Sequence, residues 1–579
     1  MPAERRRQVL VSLGLVAATF AAFGPVLRAG FVNWDDAANL LANWHYRGLG
    51  LAQFKWMATT SFGGCYQPLS WLSYDLNYLF WGLNPLAYHL TNLVLHAANA
   101  VLFYLVARAL FRLGAGEADE TRVSIAAAFA ALFFAIHPLR VESVAWVTER
   151  RDVLSGAFYL GALLFYLRRE IKASLACFFL ALLAKASGLM LPAVFLILDV
   201  YPLRRLSINI REWLSQRCRP VLLEKIPFFI LSAVFGVVAL AGQRGAGALV
   251  PLARENFAAR LAQSVFGLAF YPMKTLVPAR LSPIYEMPPG LYLPCREVLA
   301  GAAAVLALSV LFIWLRKKWP AGLAAWACYL VLIAPLSGIF PVGRQFAADR
   351  YSYLPCLACA VLAGAVVLAA MNRLKSAGRK ILIAALALVA LGLGRLTWSQ
   401  TEIWRDSEAL WSRAIALEPG SDVAWDNLGS ALAAQGKAAL AADDYRKALL
   451  INPNYAKARN NLGDALASLG QAAPALAEYR RALKIDPDFA AAHYNLGLAL
   501  AAQGKTWQAQ AEYERAVQDA PDFAEARVNL GNILAKQGKI AQAEALYEQA
   551  LAIDPGLAAA RQNLFYLRRS ARRFDRLSR

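Results

Sequence analysis

Through the first 397 positions apolar residues come in long, nearly unbroken runs with short polar punctuation; beyond them small, apolar and polar positions recur with a fixed period. A run that is apolar all round and roughly 20 residues long is what a helix needs to cross a hydrocarbon core of about 30 Å. Such runs predict about eleven membrane spans, near 8–28, 86–111, 122–138, 153–168, 173–187, 188–203, 226–242, 295–315, 321–340, 352–371 and 380–397. The stretch 257–277 is also long enough. Counting it would put the basic cluster at 316–318 on the wrong side, so it reads as interfacial or re-entrant. The pair 173–203 is short and interrupted by Lys185, yet two crossings there keep both flanking basic clusters on one side.

The second pattern is one of spacing. Prolines stand at 419, 453, 487, 521 and 555, every 34 residues, with glycines at 429, 463, 497 and 531 and again at 436, 470, 504 and 538. Tyr445, Tyr479, Tyr513 and Tyr547 keep the same period, as do Ala448, Ala482, Ala516 and Ala550. This closely resembles tetratricopeptide repeats, which are stacked helix pairs of that period. Four units are nearly full, 420–453 through 522–555, and WRDSEALWSRAIALEP before them supplies only a second helix, with Trp411 and Ala414 in register. The expected architecture is all-α: a polytopic transmembrane bundle over 1–397, a tetratricopeptide α-solenoid over 398–567 and a basic tail over 568–579.

Composition agrees with a membrane chain. Of 579 residues 59% are hydrophobic and 17% charged, outside the range of ordinary soluble domains. The net charge of +21 would suggest nucleic acid in a soluble protein, but from Trp398 onward 22 Lys/Arg face 21 Asp/Glu, which leaves +20 in the apolar part. There the cations cluster between spans, at Arg5–Arg7, Arg108 and Arg112, Arg168–Lys172, Arg204–Lys225, Arg316–Lys318 and Arg373–Lys380, the signature of cytoplasmic loops. Seven cysteines show no framework spacing, and the Cys356/Cys359 pair lies in an apolar run, which favours packing over redox or zinc chemistry. The first apolar run continues toward Leu27 without a small-x-small cleavage site and reads as an uncleaved span. With the N-terminus cytoplasmic, an odd number of spans puts loops 29–85, 139–152, 243–294 and 341–351 on the outer side together with everything after residue 397.

Candidate chemistry gathers in those outward loops. Trp34-Asp35-Asp36 follows the first span; HPLRVESVAWVTERRDVLSG carries His137, Glu142, Arg150, Arg151 and Asp152; GRQFAADRYSYLP carries Arg344, Asp349, Arg350, Tyr351 and Tyr353; Asp75, His89 and His96 lead into the second span. Neighbouring carboxylates repel each other's ionisation, so one pKa rises and a proton-accepting site becomes available. Adjacent arginines offer bidentate forks for phosphate. The bland alternative, snorkelling and helix capping, suffices for Arg168 or Lys317 but gives no reason for the acidic pair.

The order NWDD, HPLRVESVAWVTERRDVLSG, DRYSYLP and C-terminal repeats resembles the transmembrane and tetratricopeptide-repeat O-mannosyltransferases, of the GT-C class of lipid-phosphate-sugar-dependent glycosyltransferases. By that resemblance Asp35 or Asp36 is the catalytic base, with Asp36 preferred here. Arg150, Arg151, Arg350 and Tyr351 bind the donor phosphate, with His137, Glu142, Asp152, Arg344 and Asp349 in support. The family's Arg-x-Asp pattern is matched here by ERRD. Asn427, Asn461, Asn495, Asn529 and Asn563, each followed by Leu, resemble the asparagine ladder of the O-GlcNAc transferases and are expected to bind an extended acceptor peptide; the alternative is amides bonded to neighbouring repeats. The implied function is transfer of mannose or another hexose from a polyprenyl phosphate to protein Ser/Thr hydroxyls at the outer face of a bacterial inner membrane, with the repeats in the periplasm. No cofactor, metal or nucleic acid is expected, and the lipid-linked sugar is a co-substrate. The rival readings are an oligosaccharide ligase or polymerase, and a non-enzymatic membrane-anchored scaffold.

Overall fold

Each of the eleven apolar runs folds as helix, but most are shorter than the sequence pattern suggests. The computed structural model describes residues 3–115, 119–248, 257–286, 295–338 and 345–577. Among these, four helices are long and apolar enough to cross a membrane: Pro85–Gly114, Arg219–Gly245, Arg296–Leu315 and Ser376–Ile403. A fifth results if Glu120–Ala135 and Pro138–Ala145, bent by 55°, count as one span. Four further apolar helices, Ile171–Ala184, Ala186–Val200, Pro320–Leu336 and Leu357–Arg373, are each 10–17 residues long. At the bend Pro138 follows His137, whose ψ of 134° is the extended geometry that a residue before proline prefers. The short helix Leu191–Val200 starts with Pro at its first turn, just past the Lys185 interruption.

The compact units divide at Arg413/Ala414. The 397/398 boundary drawn from sequence falls inside the continuous helix Ser376–Ile403, because the last apolar run simply continues as a polar helix. In the first unit small residues let helices approach closely. Ala126, Ala127, Ala130 and Ala131 are fully buried on Glu120–Ala135, and Gly364 of Leu357–Arg373 meets them. A Cβ at Gly364 would stand 2.8 Å from the Ala126 carbonyl. Other helices bury little. Leu306, Val310 and Trp314 on Arg296–Leu315, and Ile381, Leu388 and Leu391 on Ser376–Ile403, are all exposed apolar side chains. A helix that is apolar all round yet unburied by protein suits a lipid surrounding. Phe257–Leu276 is helical with Pro272 inside it, and the only strands among the described residues, Tyr285–Glu286 and Gln345–Ala347, pair antiparallel.

In the second unit the 34-residue period appears as helix pairs: Asp422–Ala434 with Ala438–Ile451, Ala456–Ser468 with Ala472–Ile485, Ala490–Ala502 with Thr506–Asp519, and Ala524–Lys536 with Ile540–Ile553. Gly436, Gly470, Gly504 and Gly538 end the first helices at φ between +72° and +80°, a left-handed geometry that glycine adopts without strain. Gly463 has a different task, since a Cβ there would lie 2.5 Å from the Tyr479 ring. The tyrosine of each second helix thus packs onto bare backbone of the first. The residues expected as a tail are not separate: Ala558–Leu577 is one helix.

Candidate active site

After the first helix, Ala3–Ala22, and a 3-10 segment, Gly24–Arg28, the chain turns at residues 33–35 and enters the short helical stretch Ala37–Leu41. The two adjacent carboxylates at this turn face different surroundings. Asp36 is 1% exposed; its Oδ1 accepts from the Thr148 amide at 3.0 Å and hydroxyl at 2.6 Å, and its Oδ2 accepts from the Val32 amide at 3.1 Å. Burial pushes Asp36 up to about 6 against the pull of those donors. Asp35 is half-buried, and among the described residues its carboxylate accepts no hydrogen bond. Burial raises its pKa, Arg151 and Arg350 pull it down, and Glu149 adds to the rise. Asp36 is therefore an anchor for the 147–149 turn, whereas among the described residues the Asp35 carboxylate is left without a donor.

Opposite stands a buried network whose centre is Glu149, 0% exposed at the end of the turn Val147–Glu149. Its oxygens take Arg151 at 2.5 Å, Lys185 at 2.7 Å and Arg350 at 3.4 Å. Burial alone would raise Glu149, but these three cations outweigh it and hold the group well below the usual carboxylate range. Lys185 also reaches Asp152 at 2.7 Å, whose second oxygen accepts from Ser143 at 2.9 Å. Arg350 forms an ion pair with Glu142, donates its backbone N–H to that same carboxylate at 2.9 Å, and lies over the rings of Trp146 and Tyr351 at 5.4 and 5.0 Å. Arg151, Asp152, Arg350, Tyr351 and Glu142 are thus brought together as the sequence expects. Glu149 and Lys185 are additions; a lysine interrupting an apolar run was the available signal.

Other expected members stand elsewhere. Arg150 is 0% exposed; it donates to Asn92 at 2.8 Å, to the Ser73 and Tyr88 carbonyls at 3.0 Å each and to Asn77, between the rings of Tyr74 and Tyr88. A guanidinium spent on protein acceptors has no fork left for phosphate, so Arg150 is a bracket for the scaffold. His137 caps the next turn, accepting from the Leu139 amide at 3.3 Å, with its Nε2 3.0 Å from the Thr275 carbonyl. Asp349 is buried and takes the Tyr285 hydroxyl at 2.8 Å. Asp75 accepts from the Gly48 amide, and His89 and His96 bond to the Gly30 and Ala135 carbonyls. Arg344 lies outside the described residues.

A set of tryptophans fastens the Asp35 loop. Trp34 stacks on Trp411 with centroids 4.6 Å apart and packs edge-on against Trp146 at 5.8 Å; Trp146 in turn stacks with Trp404 at 5.9 Å. Asn33 accepts from the Trp411 indole at 2.5 Å and donates its amide to Ser407 at 2.9 Å.

In the second unit the asparagine ladder is turned inward. Asn461 donates to Asp426 at 2.9 Å, Asn495 to Asn460 and Asp464 at 3.1 Å each, Asn529 to the Tyr494 hydroxyl at 3.1 Å and Asn563 to Asn532 at 2.8 Å. Every one of these partners belongs to the preceding helix pair. The amide nitrogens expected to hold an acceptor peptide instead staple repeat to repeat, and Asn427 is buried on the first helix of the series.

The family models that match fall within the second unit. Residues 429–470 and 463–504 match the family model described as TPR repeat, and 494–558 that described as tetratricopeptide repeat. Protein O-mannosyl-transferase tmtc2 of Xenopus laevis is 30% identical over 156 residues, 25% of this chain and 18% of that protein. Protein O-mannosyl-transferase Tmtc1 of Drosophila melanogaster is 30% identical over 166 residues, 27% of this chain and 18% of its own length. The chain therefore matches less than a fifth of each curated relative. Among solved structures, YrrB, titled a TPR protein with an unusual peptide-binding site, is 23% identical over 30% of this chain and 88% of its own, with a TM-score of 0.24. A thermophilic TPR protein of Thermus thermophilus, TTC0263, is 22% identical over 31% of this chain and 94% of its own, with a TM-score of 0.26.

Proposed function

We propose that this chain is a membrane glycosyltransferase of GT-C type that moves a hexose from a polyprenyl phosphate to Ser or Thr hydroxyls of proteins, with its repeats engaging the acceptor. The distant likeness to protein O-mannosyl-transferases supports the reaction class. The observation that carries the site is Asp35: a half-buried carboxylate without a hydrogen-bond partner among the described residues, coupled to Arg151 and Arg350. Eleven crossings, made of the five long spans with the bent pair counted as one, the four shorter apolar helices, Ala3–Ala22 and Arg150–Leu167, would keep this loop and the repeats on the outer side of a bacterial inner membrane.

In this reading the acceptor hydroxyl attacks C1 of the sugar and gives its proton to Asp35. The C1–O bond to phosphate breaks, and the polyprenyl phosphate leaves with the electron pair. Arg151 and Arg350, preorganised by Glu149 and Glu142, stabilise the charge that develops on the departing oxygen. Lys185 fixes Glu149 and Asp152 and so holds Arg151 in place.

The test is transfer from a purified polyprenyl-phosphate hexose to a Ser/Thr peptide by the full chain in lipid. Wild type should glycosylate the peptide and Asp35→Asn should not. Unchanged transfer by Asp35→Asn would remove the base assignment, and no transfer by wild type from any hexose donor would favour a scaffold.

A further inference from the structure

A cavity of about 280 Å³ lies inside the first unit, bounded by the helices Pro85–Ala115, Arg150–Leu167, Leu191–Val200, Pro320–Ile333 and Leu357–Arg373. Its wall is almost wholly apolar, with Phe111, Leu160, Leu163, Val361 and Leu362 among its lining. The Tyr159 hydroxyl, buried and without a hydrogen-bond partner among the described residues, stands deeper in the wall, and Tyr201 and Asn372 stand at the margin with Gly114 and Trp319. These mark one end of the bundle: Gly114 and Asn372 close their helices, and Trp319 precedes Pro320–Ile333. Arg151 of the site opens the helix on which Leu163 lines the cavity, some twelve residues on, or about 18 Å at 1.5 Å per residue. Tyr159, Leu332 and Leu357 line it toward the other end, so the cavity runs along the bundle, with its cationic margin at the end away from the site.

The helix ends around the margin are cationic. Lys317, Lys318, Arg204 and Arg373 are exposed, and among the described residues none has a carboxylate partner. Arg122 donates to Asn372 of the margin at 3.1 Å but is paired with Asp119 at 3.5 Å. Nearby Arg108 and Arg112 are different, since Glu4 and Glu120 pair with both. Unpaired cations thus stand at the helix ends that frame the cavity. A dry apolar cavity accepts a hydrocarbon, and cations at its edge select an anionic headgroup.

We propose that this cavity holds one acyl chain of an anionic glycerophospholipid from the leaflet opposite the Asp35 face, its phosphate resting on Arg373 and Lys318. The proposal rests on the membrane reading of the first unit and is independent of the transfer reaction. A polyprenyl-phosphate sugar held by these same cations would have its phosphate at the wrong end of the bundle for Asp35.

Native mass spectrometry of the full chain in detergent, titrated with phosphatidylglycerol or phosphatidylcholine, tests this directly. One phosphatidylglycerol should bind at least about 30-fold more tightly than phosphatidylcholine. The double variant Arg373→Gln/Lys318→Gln should lose about 30-fold toward phosphatidylglycerol alone, the product of two charges each worth about fivefold at a bilayer surface. Ala365→Trp, which fills the cavity, should abolish retention of the lipid. Equal binding of the two lipids, or full retention in Ala365→Trp, would overturn the proposal. So would one-for-one displacement by undecaprenyl phosphate, which would assign the cavity to a prenyl tail.

Discussion

Asp35 and Asp36 are neighbours in sequence whose oxygens meet different groups, and substitutions should separate them. Asp35→Asn keeps shape and loses the base, so turnover should fall by about 10² to 10⁴-fold with the unfolding midpoint unchanged. Asp36→Asn turns an amide N–H toward either the Val32 or the Thr148 donors and should cost about 1–3 kcal/mol of stability, measured by thermal unfolding in detergent. The pH response follows from the same burial. Asp36 is raised from 3.8 to about 6, so its contribution to stability is fully present below the unfolded value and is lost as pH rises through about 6. Wild-type midpoints should drop between pH 5 and pH 7 by more than those of Asp36→Asn; parallel slopes would show that Asp36 does not titrate there. At this scale the sequence was only partly legible. It marked the loop and the pair, but which member is anchored depends on Thr148, over a hundred residues away. Arg150 and Arg151 likewise differ by about 100° of helix rotation, which sends one into a scaffold bracket and the other toward Asp35.

Among the elements, the repeats were the most legible because their chemistry is local. Gly463 must lack a side chain where Tyr479 lies on it, and Gly463→Ala should destabilise the array by about 1–3 kcal/mol through overpacking. The asparagine ladder was legible as a period and not as a function. An amide on that face has an earlier repeat within reach, and the pairing is seen only once the helix pairs are stacked. Asn495→Ala should remove two inter-repeat bonds and cost about 1–3 kcal/mol. Hydrogen exchange should then rise at the Ala456–Ser468 and Ala490–Ala502 helices; unchanged protection there would return the ladder to the peptide-binding reading. The apolar runs were legible as helices and not as lengths, because a hydropathy window averages across breaks such as the bend at Pro138 and the interruption at Lys185.

Over the whole chain, the proposed topology makes a direct prediction. Protease added outside spheroplasts should remove the repeats beyond residue 413, whereas an intact C-terminal tag would place them in the cytoplasm. The count of crossings was the least legible feature, since helices of 10–17 residues and a pair bent by 55° read as full spans in sequence. The tryptophan fastening of the Asp35 loop also sets a timetable for biosynthesis. Asn33 and its partner Ser407 are separated by 374 positions, so the loop leaves the ribosome long before the residues that hold it. At roughly 5–20 residues per second that delay is on the order of 20–75 s. Until then the nascent chain would be inserted but unfastened, and chains stopped before Ser407 should reach the membrane without acquiring the proposed transfer activity.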